Sequence, residues 1–421
     1  MTEVSLPGSI KTLPFFVALM VAVAIPLRVI GVAPEQTALG LALIAALALH
    51  LLSTETRLMT RQALTSQTAI FVGIVFLAWG VTLLFSASPI GSLKIGGRSG
   101  VFLFGVVMVW AALKAHENIH SLIWKVLIVG GVASTTVAAL SLSGVPIILS
   151  ILKADFSGQE IPALAFKAFA ASALCMIPVI TWAGRRLSPR WRYLAYAYTP
   201  LVIVLIMLSH NRSALAGLLS MIAVGMAALA LTRNRHTKLL FVLASTASVA
   251  IMVWVRSDRM PLAKATANVD GIYLPGWLID PHRQYIWKFA YEKFLDKPWF
   301  GNGIDQLNKL SGSDSIIPNL GSTAYLVPSH PHSWVLEILA EAGLIGFIPV
   351  LAALMFIAWK LLKRFFKTHD EGALAQLTLM AGFWASALFN FSIWAVWWQL
   401  TFFILFAIVS AAPELKSKSH D

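Results

Sequence analysis

Three short stretches carry side chains whose types and spacing could do chemistry. "HPHSW" sets His330 and His332 directly ahead of a long apolar run, "SHNRSALAGLL" sets Arg212 at the first turn of another, and "DPHRQYIWKFAYEKF" sets Arg283 at the head of an amphipathic stretch. Lys94 and Arg98 precede a further apolar run and add two cations. An imidazole with an ordinary pKa of about 6.5 is largely neutral near pH 7 and can take a proton from a hydroxyl. An arginine fork matches phosphate oxygens two at a time, and a helix N-terminus adds N–H donors and a partial positive charge. The chemistry offered is therefore one general base, His332, beside an anion clamp built from Arg212 and Arg283.

Each residue also has an ordinary structural alternative. Arg212 could snorkel to lipid headgroups, Arg283 could pair with Asp280, and His332 could cap the helix that follows it. Lys94 and Arg98 fit headgroup contacts at least as well as a secondary place in the site. His210 and His282 fit capping or surface positions. A metal held by His330 and His332 is disfavoured, because no compact Asp/Glu/His cluster accompanies them and Pro331 holds an extended backbone that points the two rings apart.

The elements that must position these residues are membrane helices. Of 421 residues, 58% are hydrophobic and 12% charged, and the mean hydropathy is +0.77. The apolar residues fall into uncharged runs long enough to cross roughly 30 Å of hydrocarbon. The fold class expected is an all-α polytopic membrane protein with about twelve transmembrane helices, at 13–33, 38–53, 68–86, 99–114, 121–144, 163–183, 195–209, 212–231, 238–255, 333–360, 373–390 and 393–412. The first run lacks a small-residue cleavage site and reads as a retained helix. The single cysteine, Cys175, excludes an intrachain disulfide.

Basic residues in the short connections orient the chain. Arg57 and Arg61, Arg185 to Arg192, Arg233 to Lys238 and Lys360 to Lys367 all fall on the side of both termini, the cytoplasm. This bias also accounts for most of the net charge of +13 without invoking nucleic acid. The organisation expected is residues 1–255 with nine spans, a periplasmic segment 256–332, and residues 333–421 with three spans and a cytoplasmic C-terminus. Within the periplasmic segment, Tyr285, Ile286, Phe289, Tyr291 and Phe294 recur at helical spacing until "DKPWFGNG" breaks the pattern. That amphipathic helix is expected at the outer membrane surface. The 86–98 loop, the 145–162 loop and a tight Ser209–Arg212 corner share its side. An anion handled there, at the edge of a bilayer, suits a lipid-linked diphosphate.

With these residues in place, the chain resembles the bacterial O-antigen ligase and polymerase superfamily. The ligases carry a histidine followed by Asn, Ser or Gln, nine residues, and then Gly-x-x-Gly, Thr or Tyr. Here His332–Ser333 precedes nine residues, Trp334 to Ala342, and Gly343-Leu-Ile-Gly346. The "HNRS" arginine and the arginine-headed helix ending in "KPWFGNG" are similar as well, so the specific resemblance covers about 200–360. It implies that His332 is catalytic, that Arg212 and Arg283 hold the diphosphate of an undecaprenyl-diphosphate-linked glycan donor, and that lipid A–core is the acceptor. It implies neither metal nor cofactor, and a site on the periplasmic face of the inner membrane. The superfamily's polymerases place glycine eleven positions after each arginine; Ala223 and Phe294 stand there instead, which favours a ligase. An O-antigen or exopolysaccharide polymerase is the alternative within the superfamily, and a lipid-linked glycan transporter the alternative outside it. The ionisable residues crowd one face and no repeat is evident, unlike many transporters.

Overall fold

A computed structural model describes residues 12–145, 163–232, 279, 281–317, 325–327 and 329–413. Among these residues the architecture is helical, with thirteen α-helices and only an isolated bridge between Ile316 and Tyr325 in extended form. The first half comprises α1 (Leu13–Leu27), α2 (Val32–Leu52), α3 (Thr54–Leu64), α4 (Gln67–Leu83), α5 (Pro89–Ala115) and α6 (His120–Leu142). Then follow α7 (Lys167–Arg186), α8 (Pro189–Leu208), α9 (Arg212–Thr232), α10 (Pro281–Asp296), α11 (Trp334–Thr368), α12 (Glu371–Ala387) and α13 (Val396–Ala411). Among the described residues, six helices are long and apolar enough to cross a membrane, or seven if α3 and α4, bent by 65° at their junction, count together. The apolar run at 238–255, the residues Arg233, Arg235 and Lys238, and the segment 256–278 lie outside the described residues.

Burial explains the layering. Helix α7 is enclosed along most of its length, from Phe169 to Gly184, and carries apolar or small residues on every side, as a central helix must. Helices α8, α6 and α12 pack around it. Close approach of α9 and α12 depends on small residues, the usual solution where lipid supplies no hydrophobic force between helices. A Cβ on Gly217 would sit 2.6 Å from the Gly382 carbonyl oxygen. Gly217 faces Gly382 and Ser386, while Gly225 faces Thr378. The two helices are thus antiparallel, and this register brings the first turn of α9, with Arg212, level with the turn that follows α12.

Several boundaries differ from the sequence reading. Lys94 and Arg98 do not lie in an 86–98 loop: α5 starts at Pro89, favoured in a first turn, and runs through both cations. Ser92 and Ser99 occupy its buried side, so the helix continues inward of its charges. Arg57 and Arg61 likewise lie on a helix, α3, and not in a loop; Ser53 caps it by accepting from the Thr56 N–H. Arg190 and Arg192 belong to the start of α8, and α11 extends past Lys367, because long basic side chains can stay in water while their helix leaves the apolar layer.

Candidate active site

The site is assembled around a break in α11. Gly343 adopts φ 61° and ψ −166°, a conformation that interrupts helical hydrogen bonding and strongly favours glycine. The "KPWFGNG" loop fills the gap. Leu344 and Ile345 N–H donate to the carbonyls of Pro298 and Trp299, at 2.8 and 3.0 Å, while Asn302 and Gly303 N–H donate to those of Ala340 and Glu341, at 3.0 and 2.7 Å. The contact is backbone against backbone, and a Cβ on Gly301 would lie 2.3 Å from the Glu341 carbonyl carbon. Asn302 adds side-chain donation to Ala340 and Lys293, tying the end of α10 to the same junction. Helix α10 does bury one face, but against protein: Ile286, Phe289 and Ala290 pack on Leu307, Val327 and Ala340. Tyr291 is exposed.

This junction sets the approach of "HPHSW". The imidazole rings of His330 and His332 are not splayed by Pro331; their centroids are 4.2 Å apart in an edge-on arrangement. The expected divergence fails because His332 takes φ 55°, the left-handed region, which turns its backbone N–H onto His330 Nδ1 at 3.2 Å. Trp287 Nε1 holds the intervening Pro331 carbonyl at 2.9 Å. The two histidines are unequal. Burial pushes the His330 pKa down to about 3, with His332 and the Arg283 guanidinium adding repulsion. His330 is therefore neutral near pH 7 and a poor proton acceptor, with Nδ1 already engaged. His332 Nδ1 lies 3.1 Å from the Asn390 carbonyl oxygen. A carbonyl only accepts, so the neutral His332 ring carries its proton on Nδ1 and its lone pair on Nε2.

The turn after α12 is the hub. Arg283 Nη1 donates to the Phe389 carbonyl at 2.9 Å, one residue from the carbonyl that orients His332. Arg98 Nη2 donates to the Trp394 carbonyl at 3.0 Å. The structure thus brings His330, His332 and Arg283 together, sets Arg98 further along the same linker, and leaves Lys94 exposed a turn away on α5. Arg212 opens α9 at the level of this turn, where Asn211 accepts from the Ala214 N–H at 3.1 Å and holds the Lys167 carbonyl at 2.7 Å. His282 Nε2 donates to the Tyr325 carbonyl at 2.8 Å on the exposed rim, in keeping with a surface role. Among the described residues no group of three or more His, Cys, Asp or Glu could hold a metal.

Two carboxylates escaped the sequence reading, Glu337 and Glu341, at 1% and 2% exposure. Their spacing of four in an apolar helix was a visible signal, since ionisable groups in such a setting are functional hypotheses by default. Glu341 accepts from the N–H groups of Asp305 and Leu307 and from Trp394 Nε1, at 2.7, 3.1 and 2.6 Å. Glu337 accepts from Ser392 Oγ and the Ile393 N–H at 2.5 and 2.8 Å.

An oriented imidazole and an arginine thus meet at one end of the helical bundle. Residues 197–351, which contain Arg212, Arg283 and the α11 break, match the family described as O-Antigen ligase. Three similar proteins are each named "Putative polysaccharide ligase". Those of Rickettsia conorii and Rickettsia felis are 29% and 31% identical over 119 and 121 residues, covering 28% of each chain. That of Rickettsia bellii is 27% identical over 143 residues, 33% of this chain and 34% of its own. Over residues 197–351 these matches support the resemblance to the O-antigen ligase superfamily. The matched part spans about a third or less of the length of these relatives.

Proposed function

We propose that this ligase-type membrane enzyme is an inverting, metal-independent glycosyltransferase that moves an O-antigen glycan from undecaprenyl diphosphate to a sugar hydroxyl of lipid A–core. The observation that carries the reading is the pairing at the turn after α12: Asn390 orients His332 through Nδ1, and the adjacent Phe389 carbonyl anchors Arg283. In the reaction, His332 Nε2 takes the acceptor hydroxyl proton as the oxygen bonds to the anomeric carbon. The bond from that carbon to the diphosphate oxygen breaks, and the leaving diphosphate keeps the electron pair. Arg212 and Arg283 bind it and stabilise the growing negative charge, with Arg98 or Lys94 assisting. Attack opposite the leaving group inverts the anomeric centre.

The topology proposed is twelve spans with the site on the periplasmic face of the inner membrane, the isoprenoid tail remaining among membrane lipids. Support comes from the contacts between ends. Ala87 N–H donates to the Asn302 carbonyl, Arg98 reaches Trp394, and Arg283 and His332 reach Phe389 and Asn390. In the proposed twelve-span topology all these ends fall on one side. The apolar run at 238–255, outside the described residues, is read from the sequence as the ninth span.

The test is purified protein in vesicles with undecaprenyl-diphosphate glycan and lipid A–core. The glycan should appear on lipid A–core; lengthening of the donor glycan instead would make the protein a polymerase using the same site. Arg283→Lys keeps the charge but loses the fork, and should cost roughly tenfold or more in kcat/KM for donor. Near-normal turnover would reduce Arg283 to a carbonyl contact.

A further inference from the structure

The contacts of Glu337 assign it a task that its burial alone would not. Glu337 lies five residues after His332, on the first turns of α11, and its N–H donates to the Ser333 carbonyl at 2.8 Å. Both carboxylate oxygens bind the linker after α12, at Ser392 Oγ and the Ile393 N–H. Ser392 Oγ in turn accepts from the Trp394 N–H at 3.1 Å, and the Ile393 carbonyl accepts from Gln399 Nε2 at 2.7 Å. Two ties therefore join the same two segments two residues apart on the linker: His332 to Asn390, and Glu337 to Ser392 and Ile393. The first is a single bond to a carbonyl in a turn; the second is a two-pronged, buried grip.

We infer that Glu337 is a positioning residue for the transfer reaction, holding the linker so that the Asn390 carbonyl stays against His332 Nδ1 and the lone pair stays on Nε2. The inference rests on His332 being the base. It is the backbone-carbonyl form of a common arrangement, in which the partner of one ring nitrogen sets the tautomer and basicity of the other. Donation from Nδ1 to a carbonyl favours the protonated ring, so loss of that bond makes His332 a weaker base. Among the described residues, the His330 ring and the Asn390 carbonyl lie against His332, and Arg283 acts on His330 beside it. His330 is neutral and Arg283 constant in charge near neutrality, so neither of these two supplies a competing titration. Around Glu337 stand Glu341 on α11 and Asp305 in the loop before it.

Glu337→Gln is nearly isosteric, removes the charge and replaces one acceptor oxygen by a donor, which Ser392 Oγ can meet only by reversing its bond. Single-turnover transfer should fall about ten- to a hundredfold, with the acid limb of the pH–rate profile moved to lower pH, while donor KM stays near wild type. Ser392→Ala removes one prong, spares the carboxylate, and should give the same signature at smaller amplitude. A lower plateau with an unmoved limb in both variants would leave Glu337 a structural residue and overturn the inference. Full activity of Glu337→Gln would do the same. The underlying reading is separated by His332→Ala: if that variant keeps turnover, the base assignment itself fails, whatever Glu337 does.

Discussion

His332→Ala should lower transfer by roughly a thousandfold, within the range of about 10²–10⁴ supplied by a positioned general base. Donor binding should change by less than about twofold, because a group that acts only in the transition state lowers kcat and kcat/KM together. The asymmetry between the two histidines sharpens the expectation. His330 sits 4.2 Å away by ring centroid but cannot substitute, since burial and its cationic neighbour push its pKa down to about 3 and its Nδ1 is occupied by the His332 N–H. Below pH 7 the missing activity is therefore not recovered through His330. Alanine is tolerable at the left-handed φ of 55° at a modest cost, so stability of the purified variant should be compared directly with wild type. A His332→Ala protein that binds donor and still transfers at more than a tenth of the wild-type rate would remove the base from the mechanism.

Gly343→Ala should be among the most damaging small substitutions at the described residues. The position demands φ 61° with ψ near the extended limit, and an added Cβ would lie 2.4 Å from both the carbonyl carbon and oxygen of Trp299. Those atoms are backbone, held by the Ile345 N–H, and cannot rotate away. Conformational strain of about 1–3 kcal/mol adds to a similar overpacking cost, together roughly 3 kcal/mol or more. The relief available is to expel the 298–303 loop. Asn302 and Gly303 would then lose Ala340 and Glu341, and α10 would lose its anchor beside His332. Thermal unfolding in detergent should shift down by several degrees, and transfer should be lost even where protein remains folded.

The candidate residues were more legible than the elements that hold them. Arg212, Arg283 and His332 stand out because charge and imidazole at the mouths of apolar runs are costly without purpose. The Gly343-Leu-Ile-Gly346 pattern is visible as letters; its physical meaning, a helix break plugged by a loop, is not. Asn390 and Phe389 gave no signal, because they act through backbone carbonyls that every residue possesses, and they lie far along the chain from their partners. The convergence of His330 and His332 was misread for a related reason. A left-handed non-glycine residue is uncommon, so an X-Pro-X sequence predicts extension. The start of α5 was hidden by its own cations, which marked a loop until Ser92 and Ser99 were found on its buried side. Glu337 and Glu341 did have a signal, paired acids one turn apart in a membrane helix, but their partners on the linker could come only from the fold.

The most direct measurement is the pH dependence of a single turnover on donor and lipid A–core, wild type beside His332→Ala. The account predicts that the wild-type rate rises with pH through one ionisation to a plateau, as a base that must be neutral requires, and that this ionisation is absent from whatever rate the variant retains. A flat wild-type profile, or the same ionisation surviving without His332, would contradict it.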